Sequence, residues 1–469
     1  MYQPIALESV RKMRDDFIAD GENLVRMNSV AKAGIDAAGL RYEAAVETPN
    51  VFSRELKTGE ITSQNSSGRC WLFAAANILR RDVMRVCDLE NFELSQAYLF
   101  FWDKFERANY FLESILDTLD EDQDSRLLRW LLQGPFADGG QWDMAVALVE
   151  KYGVVPKAVM PESFNSSNSG KMNKYLTLKA REFAKTLRDA HRAGAGREEL
   201  QRKKEAMLGT FFRILCICLG APPERFDFEV RGRDKDAKDA KGDAGGAAPA
   251  DEGPKPFKGG VFTRNLGMSP LEFYKTYVNK PLSDYISLIN APTADKAYYQ
   301  TYTVAYLGNV AGGKPVLYLN LPVESLKRAA VAQLESGESV WFGCDVGQMM
   351  DSDQGILSMG TYDVENLLRT DFPLDKAARL DYSESSMCHA MVLQGVNLVD
   401  GRPNRWKVEN SWGDKRCDKG WFRMSDEWFD EYVYQVVVDK KYLVPEETAA
   451  LEKKPLVLKP WDPMGAVAF

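Results

Sequence analysis

The sequence predicts an α+β protein that opens helical and closes as an antiparallel sheet. Three observations lead there. In the first half, apolar residues recur at helical spacing, as in WLFAAANILRRDVMRV and MAVALVEKYG. In the last third, short aromatic and β-branched runs take over: VWFGCDV, HAMVLQGVNL, RWKVENSW, GWFRMS and YVYQVVVDKKYL. Between them stand helix-start signals and a low-complexity stretch, so strands and helices are segregated along the chain and do not alternate.

Taken in order, residues 1–60 mix charged and apolar positions at helical spacing and give way to ELKTGEITSQ, which reads as extended chain. Cys70 opens a helix, with Gly68 just before it. Residues 94–134 read as mainly helical, with the aromatic residues of LSQAYLFFWDKFERANYFL at core-like spacing. DGGQW (138–142) is a glycine turn before the next helix. From about 171 to 220, two charged amphipathic helices meet at AGAG (193–196). FDFEV (226–230) alternates as a strand, VFTRN follows as another, and between them residues 231–260 are rich in Asp, Lys, Ala and Gly. Such a composition cannot bury enough apolar surface to order itself, so a disordered loop is expected there. Ser269-Pro270-Leu271-Glu272 has the form of a capping box with proline at the first helical position and should start the helix LEFYKTYV. A further helix fits ESLKRAAVAQLES, ended by Gly337.

At 469 residues the chain can bury a large core, about three domain-sized units by length. A net charge of −8 disfavours general attraction to phosphate backbones or anionic membranes. The start, MYQPIALESVRKMRDDF, has charges where an apolar signal core should be. The apolar run FFRILCICL is too short to span a bilayer and carries Arg213. The 7 cysteines are an odd number and are read as reduced thiols of a cytoplasmic protein. None has metal-site spacing, and neither a metal nor a cofactor is called for.

The chemistry lies elsewhere. Gln64 and Cys70 share the stretch SQNSSGRCW, and far downstream come His389 in CHAM and Asn410 in ENSWG. A thiolate attacks a carbonyl if one group keeps the sulfur ionised and another steadies the oxyanion. Cys70, at a helix start, is the candidate nucleophile, and an imidazolium beside it would give a thiolate–imidazolium pair near neutral pH. His389 is the proton partner, Asn410 orients its ring, Trp412 could shield that bond from water, and Gln64 is an oxyanion donor beside the Cys70 N–H. With only 2 histidines in the chain, the rival base is His191, which lies beside Arg192 in a charged helix and reads as a surface residue.

Ser67-Gly68-Arg69-Cys70-Trp71 resembles the nucleophile signature of the papain superfamily, with Ser67 where secreted members carry a disulfide cysteine. Gly139 and Gly140 match that superfamily's glycine pair, whose backbone lines the cleft and pairs with extended substrate. Over nearly the whole chain, DGGQWDMAVALVEKYGVVPK, LGNVAGGKPVLYLNLP, VWFGCDVG and WKVENSWGDKRCDKGWFRMSDEWFDEYVYQVVVDKKYL look like the bleomycin hydrolase, or aminopeptidase C, family. The resemblance implies a papain-like two-lobe cysteine peptidase fold, a helical lobe plus an antiparallel β lobe, with helical insertions. Its parts would be an N-terminal arm (1–60), a helical lobe (61–164), a helical insertion holding the low-complexity loop (165–300), a β lobe (301–445) and a C-terminal arm lying in the cleft (446–469). It implies a cytosolic aminopeptidase acting on peptide substrates, with some members hydrolysing bleomycin or homocysteine thiolactone, and a homohexameric barrel with inward-facing sites. Some members bind nucleic acid, which nothing in this composition calls for. The ending KPWDPMGAVAF is similar to the family's arm, which would put Ala468 and Phe469 beside the substrate. A chain terminus there would leave room for about one substrate residue and offer a carboxylate to the free α-amine. The 231–260 loop and Cys388, immediately before the histidine and placed at the substrate site, depart from the family pattern. Two alternatives stay open: an acyltransferase with the same triad, and a nucleic-acid- or peptide-binding ring.

Overall fold

The structure, a computed structural model, describes residues 2–233 and 260–466. Its centre is a twelve-stranded sheet ordered Leu456–Leu458, Gln300–Val304, Tyr318–Asn320, Tyr285–Ile289, Val433–Asp439, Val340–Cys344, His389–Val399, Arg402–Glu409, Trp421–Ser425, Ile356–Leu357 and Met350–Asp351, with Arg54–Glu55 pairing onto His389–Val399. The central strands are antiparallel, as the sequence predicts. The sheet as a whole is mixed, however: Leu456–Leu458 runs parallel to Gln300–Val304, Tyr285–Ile289 to Tyr318–Asn320, and Trp421–Ser425 to Ile356–Leu357. Apart from Trp421–Ser425, which the sequence marks, these flanking strands are two to five residues long, too short to show a clear polar–apolar alternation in sequence. Tyr285–Ile289, inside the span read as a helical insertion, is one of them and belongs to this sheet.

Both faces of the sheet are covered, and the alternation of side chains sorts them. Ala390, Val392, Trp341 and Val437 join a core built with the helices Cys70–Val86, Gln96–Asp117 and Trp142–Tyr152. Their neighbours Met391, Leu393, Phe342 and Val436 join a second core under Val323–Glu335 and Asp426–Tyr432. Each such fully buried side chain stabilises the fold by about 1.5–3 kcal/mol before entropy is counted. The helices Gly170–Arg192 and Arg197–Leu219 pack on Gln96–Asp117, and the hairpin of Phe226–Arg231 with Phe262–Met268 follows them. The expected disordered loop falls largely on residues 234–259, outside the described residues.

The capping box at Ser269 is present, with the Ser269 N–H donating to Glu272 at 2.7 Å and the Glu272 N–H to the Ser269 hydroxyl at 3.3 Å. The helix it starts is α-helical only over Pro270–Phe273 and then widens to a π-turn, Tyr274–Val278. At the N-terminus, Leu7–Ala19 and Gly21–Ala33 are helical and bury no residue. Among the described residues no helix is long and apolar enough to cross a membrane.

Candidate active site

Helix Cys70–Val86 is driven inward by its sequence: thirteen of its seventeen residues are buried. Its first residue is Cys70, and no side chain caps the helix start. The thiol therefore lies among free N–H groups, its own and that of Trp71, and within hydrogen-bond reach of the Ala390 N–H on the facing strand. The preceding loop is stitched down on every side. Buried Arg69 forms an ion pair with Glu162 at 2.9 Å, and Arg69 and Lys157 hold that carboxyl down at about 2 against the effect of burial. Arg69 also packs over the rings of Phe73 and Phe100. Asp138 accepts the Gly68 N–H at 3.0 Å and pairs with buried Lys104 at 2.8 Å. Burial opposes its ionisation, but Lys104 keeps its carboxyl well below the usual range.

His389 begins the strand His389–Val399, and Asn410 follows the end of its neighbour Arg402–Glu409. His389 Nε2 lies 2.9 Å from Asn410 Oδ1. The same Oδ1 accepts the Ser411 backbone N–H at 2.8 Å, which fixes that atom as the oxygen. The ring nitrogen facing it must then donate, so Nδ1 is left to receive a proton. Trp412 lies beside the ring, centroids 5.0 Å apart, where a shield is expected. Asn410 is 1 % exposed, and its Nδ2, without an oxygen or nitrogen acceptor, faces the Cys417 sulfur. His191, the rival, lies on the surface against Asp120.

Gln64 joins the two halves. Its backbone N–H donates to Ser411 O at 2.8 Å, its Oε1 accepts the Ser411 hydroxyl at 2.8 Å, and its Nε2 donates to Ser67 O at 2.6 Å. The Ser411 contact fixes the amide's orientation, and Nε2 keeps one N–H not committed to Ser67. Gly140 is a steric necessity: a Cβ there would meet the Trp71 ring at 2.6 Å. The neighbouring Gly139 carbonyl accepts the Arg107 guanidinium.

Cys70, Gly140, Gln141, Trp341, Met387, Cys388, His389, Ala390 and Ala466 line one small cavity. The structure thus brings Cys70, His389 and Gly140 to one cavity, with Asn410 bonded to His389 and Gln64 bonded to Ser411, the residue after Asn410. Cys388 is at the rim, exposed, its thiol donating to Asp345 at 3.4 Å and pushed up to about 12 by burial and that carboxylate. Ala468 and Phe469 lie outside the described residues, but the chain leading to them reaches the cavity, where Ala466 O accepts Gln141 Nε2 at 3.1 Å. Gln141, Met387 and Asp138 were not read from sequence. Only Gln141, next to the glycine pair, carried a local signal.

Burial works against charge on both reacting groups. Burial pushes the Cys70 thiol up to about 11, against the lowering effect of the N–H groups around it. Burial pushes His389 down to about 4, only partly offset by Asn410. The low-dielectric pocket thus opposes a lone charge on either group, so a thiolate and an imidazolium there would each depend on the other's charge.

Comparison with known proteins points the same way. The chain matches the peptidase C1-like family over residues 4–244 and 258–465. It is 46% identical to aminopeptidase C of Streptococcus thermophilus over 99% of both chains. It is 44% identical to human bleomycin hydrolase, covering 87% of this chain and 86% of that one. Among solved structures, that of PepW from Lactobacillus rhamnosis HN001 superposes with a TM-score of 0.93 at 46% identity, covering 100% of both chains.

Proposed function

The chain belongs to the peptidase C1-like family, and from that membership and its own cleft we infer that it is a cysteine-type aminopeptidase releasing N-terminal residues from peptides. In this reading Cys70 attacks the scissile carbonyl and passes its proton to His389 Nδ1. The Cys70 N–H and the uncommitted Gln64 N–H hold the oxyanion. Asn410 keeps the imidazole turned toward the sulfur. His389 then protonates the leaving amine and activates the water that releases the acyl group. The cleft is reserved for unblocked ends because the C-terminal arm, seated at Ala466, occupies its far side. The observation that carries this reading is the seating of Ala466 on Gln141, in the same cavity as Cys70 and His389.

The same logic gives the arrangement of the molecule. A cytoplasmic homohexamer with sites facing an inner chamber fits the exposed apolar face of the N-terminal helices. Substrates are peptides of broad sequence. Amides such as bleomycin and the ring ester of homocysteine thiolactone fit the same acyl-transfer site. The test compares aminoacyl amides with free and with acetylated N-termini. Full-length protein should turn over the free-amine series and reject the acetylated one. Equal turnover of both would sink the aminopeptidase reading while leaving a cysteine peptidase.

A further inference from the structure

The arm reaches the catalytic cavity through one fixed bend, and the groups that hold the bend lie outside the cavity. After the strand Leu456–Leu458, laid parallel to Gln300–Val304, the chain passes Trp461, over whose ring the Arg126 guanidinium sits 4.0 Å from the centroid. Asp462 comes next and has two tasks. Its Oδ1 accepts the Met464 N–H at 2.9 Å and its carbonyl accepts the Gly465 N–H at 2.8 Å, which closes the turn Pro463–Gly465. Its Oδ2 takes the Lys296 ammonium at 3.0 Å. The turn drops Met464 into the core, its carbonyl accepting the Tyr318 hydroxyl at 3.1 Å, and delivers Ala466 to Gln141.

Lys296 is the unusual member. Its side chain is 2% exposed, and its two carboxylate partners differ: Asp295 is 63% exposed, whereas Asp462 is 10% exposed. A buried ammonium facing one solvated carboxylate is poorly compensated, so the arm's own carboxylate completes its environment. The dependence is mutual, since Asp462 without Lys296 would be a half-buried unpaired charge at the root of the turn.

We propose that Lys296 and Asp462 are a positioning clamp that sets how far the arm reaches, and through it how many substrate residues the cleft admits ahead of the scissile bond. This rests on the reading of the arm as the element that restricts the enzyme to free N-termini. With the clamp closed, Ala466 is held at Gln141 and peptides with a free α-amine are selected. With it open, the turn loses its electrostatic anchor, the arm recedes, and peptides with blocked or longer leading segments enter.

Asp462→Asn separates the two tasks, because the amide oxygen can still accept the Met464 N–H while the charge is gone. Lys296→Met removes the other partner, and Lys296→Arg restores the charge. The experiment measures kcat and KM for an aminoacyl amide and its N-acetylated counterpart in these three variants, in the wild type and in a chain ending at Lys459. Hydrogen exchange of the 460–466 segment is followed alongside. In D462N and K296M the acetylated-to-free ratio of kcat/KM should rise at least about tenfold, the scale expected for breaking a desolvated charge pair. The loss on the free-amine substrate should fall on KM, with K296R near wild type. The Gly465 and Ala466 amides should lose protection while helix Cys70–Val86 keeps it. If both variants discriminate and protect the arm as the wild type does, and the shortened chain does not discriminate, the clamp is wrong and the arm reading survives. If the shortened chain still rejects acetylated substrates, the arm reading fails and the clamp with it. Exchange is read on the arm itself, so a variant that turns over poorly still decides: protected Gly465 and Ala466 amides overturn the clamp.

Discussion

Helices Cys70–Val86 and Leu7–Ala19 make opposite use of apolar residues. The first buries thirteen of its residues against sheet and neighbouring helices of its own chain. The second buries none, although Leu7, Val10, Met13, Phe17 and Ile18 fall on one of its faces, and all of them are exposed. The chemistry is therefore built inside one chain, held by a core that needs no partner. Among the described residues nothing covers the apolar face of the N-terminal helix. A residue in the first helix is constrained by packing whether or not it reacts, and one in the second only by what docks on it.

Cys70→Ala is the sharpest way to separate packing from chemistry within the first helix. The side chain shrinks by one atom at a 2% exposed position, so unfolding should change by no more than about 1 kcal/mol. Turnover should fall by a factor on the order of 10⁴ or more, since a member of a unit that works together has been removed. Residual turnover near wild type would break the assignment. Gln64→Ala comes next, with an expected loss in kcat of about 10²–10³ for one oxyanion donor. Because Gln64 also bonds Ser411, the neighbour of Asn410, a Gln64→Glu variant is the useful control. It keeps an acceptor for the Ser411 hydroxyl and loses the N–H, so it should be as slow as the alanine.

How much of this the sequence shows depends on whether a signal is local. Cys70 at a helix start, the glycine pair before an apolar helix, and Asn410 in ENSWG each sit in a stretch whose own pattern marks them. The order of the strands does not. Tyr285–Ile289 is a short, largely buried strand whose side chains do not alternate between apolar and polar, and its place between Tyr318–Asn320 and Val433–Asp439 is set by partners far away in sequence. The electrostatics of the cleft are hidden in the sequence for a related reason. Helix-start position is visible in the sequence and argues for a thiolate, whereas burial is a property of the assembled lobes and outweighs it at both Cys70 and His389. The clamp at Lys296 and Asp462 was equally hidden, since neither residue has a neighbour that hints at the other.

Gly140→Ala tests the same core from the other side. The added methyl must displace the Trp71 ring, itself fixed by its indole N–H on Asp138 O at 2.8 Å. Destabilisation of about 1–3 kcal/mol by chemical unfolding is expected, together with slower turnover as the cavity wall moves. A variant as stable as wild type would mean that the wall is softer than its packing implies. The pH profile probes burial directly. Because His389 is held at about 4 and acts as a base in its neutral form, kcat/KM should rise with pH through an acid limb near 4 and be flat by pH 6. An unperturbed imidazole would put that limb near 6.5. A limb there would show that substrate-free burial does not describe the working cleft.

The smallest effect on the single chain should come from the other helix. Replacing Leu7, Val10 and Phe17 together by Gln removes most of its apolar face without touching a buried residue. Exposed substitutions typically shift unfolding by within about 0.5 kcal/mol each, so the variant's core should unfold as the wild type does. Turnover of a small aminoacyl amide per chain should also hold, because every group in the catalytic cavity lies elsewhere. What should change is the mass in sedimentation: the homohexamer proposed above should give way to smaller species, since an apolar face left open on one chain is where another would cover it. If the triple variant stays assembled, the face does not mediate assembly. If instead it loses stability as a core variant does, the N-terminal helix packs within its own chain in solution and the contrast with helix Cys70–Val86 disappears.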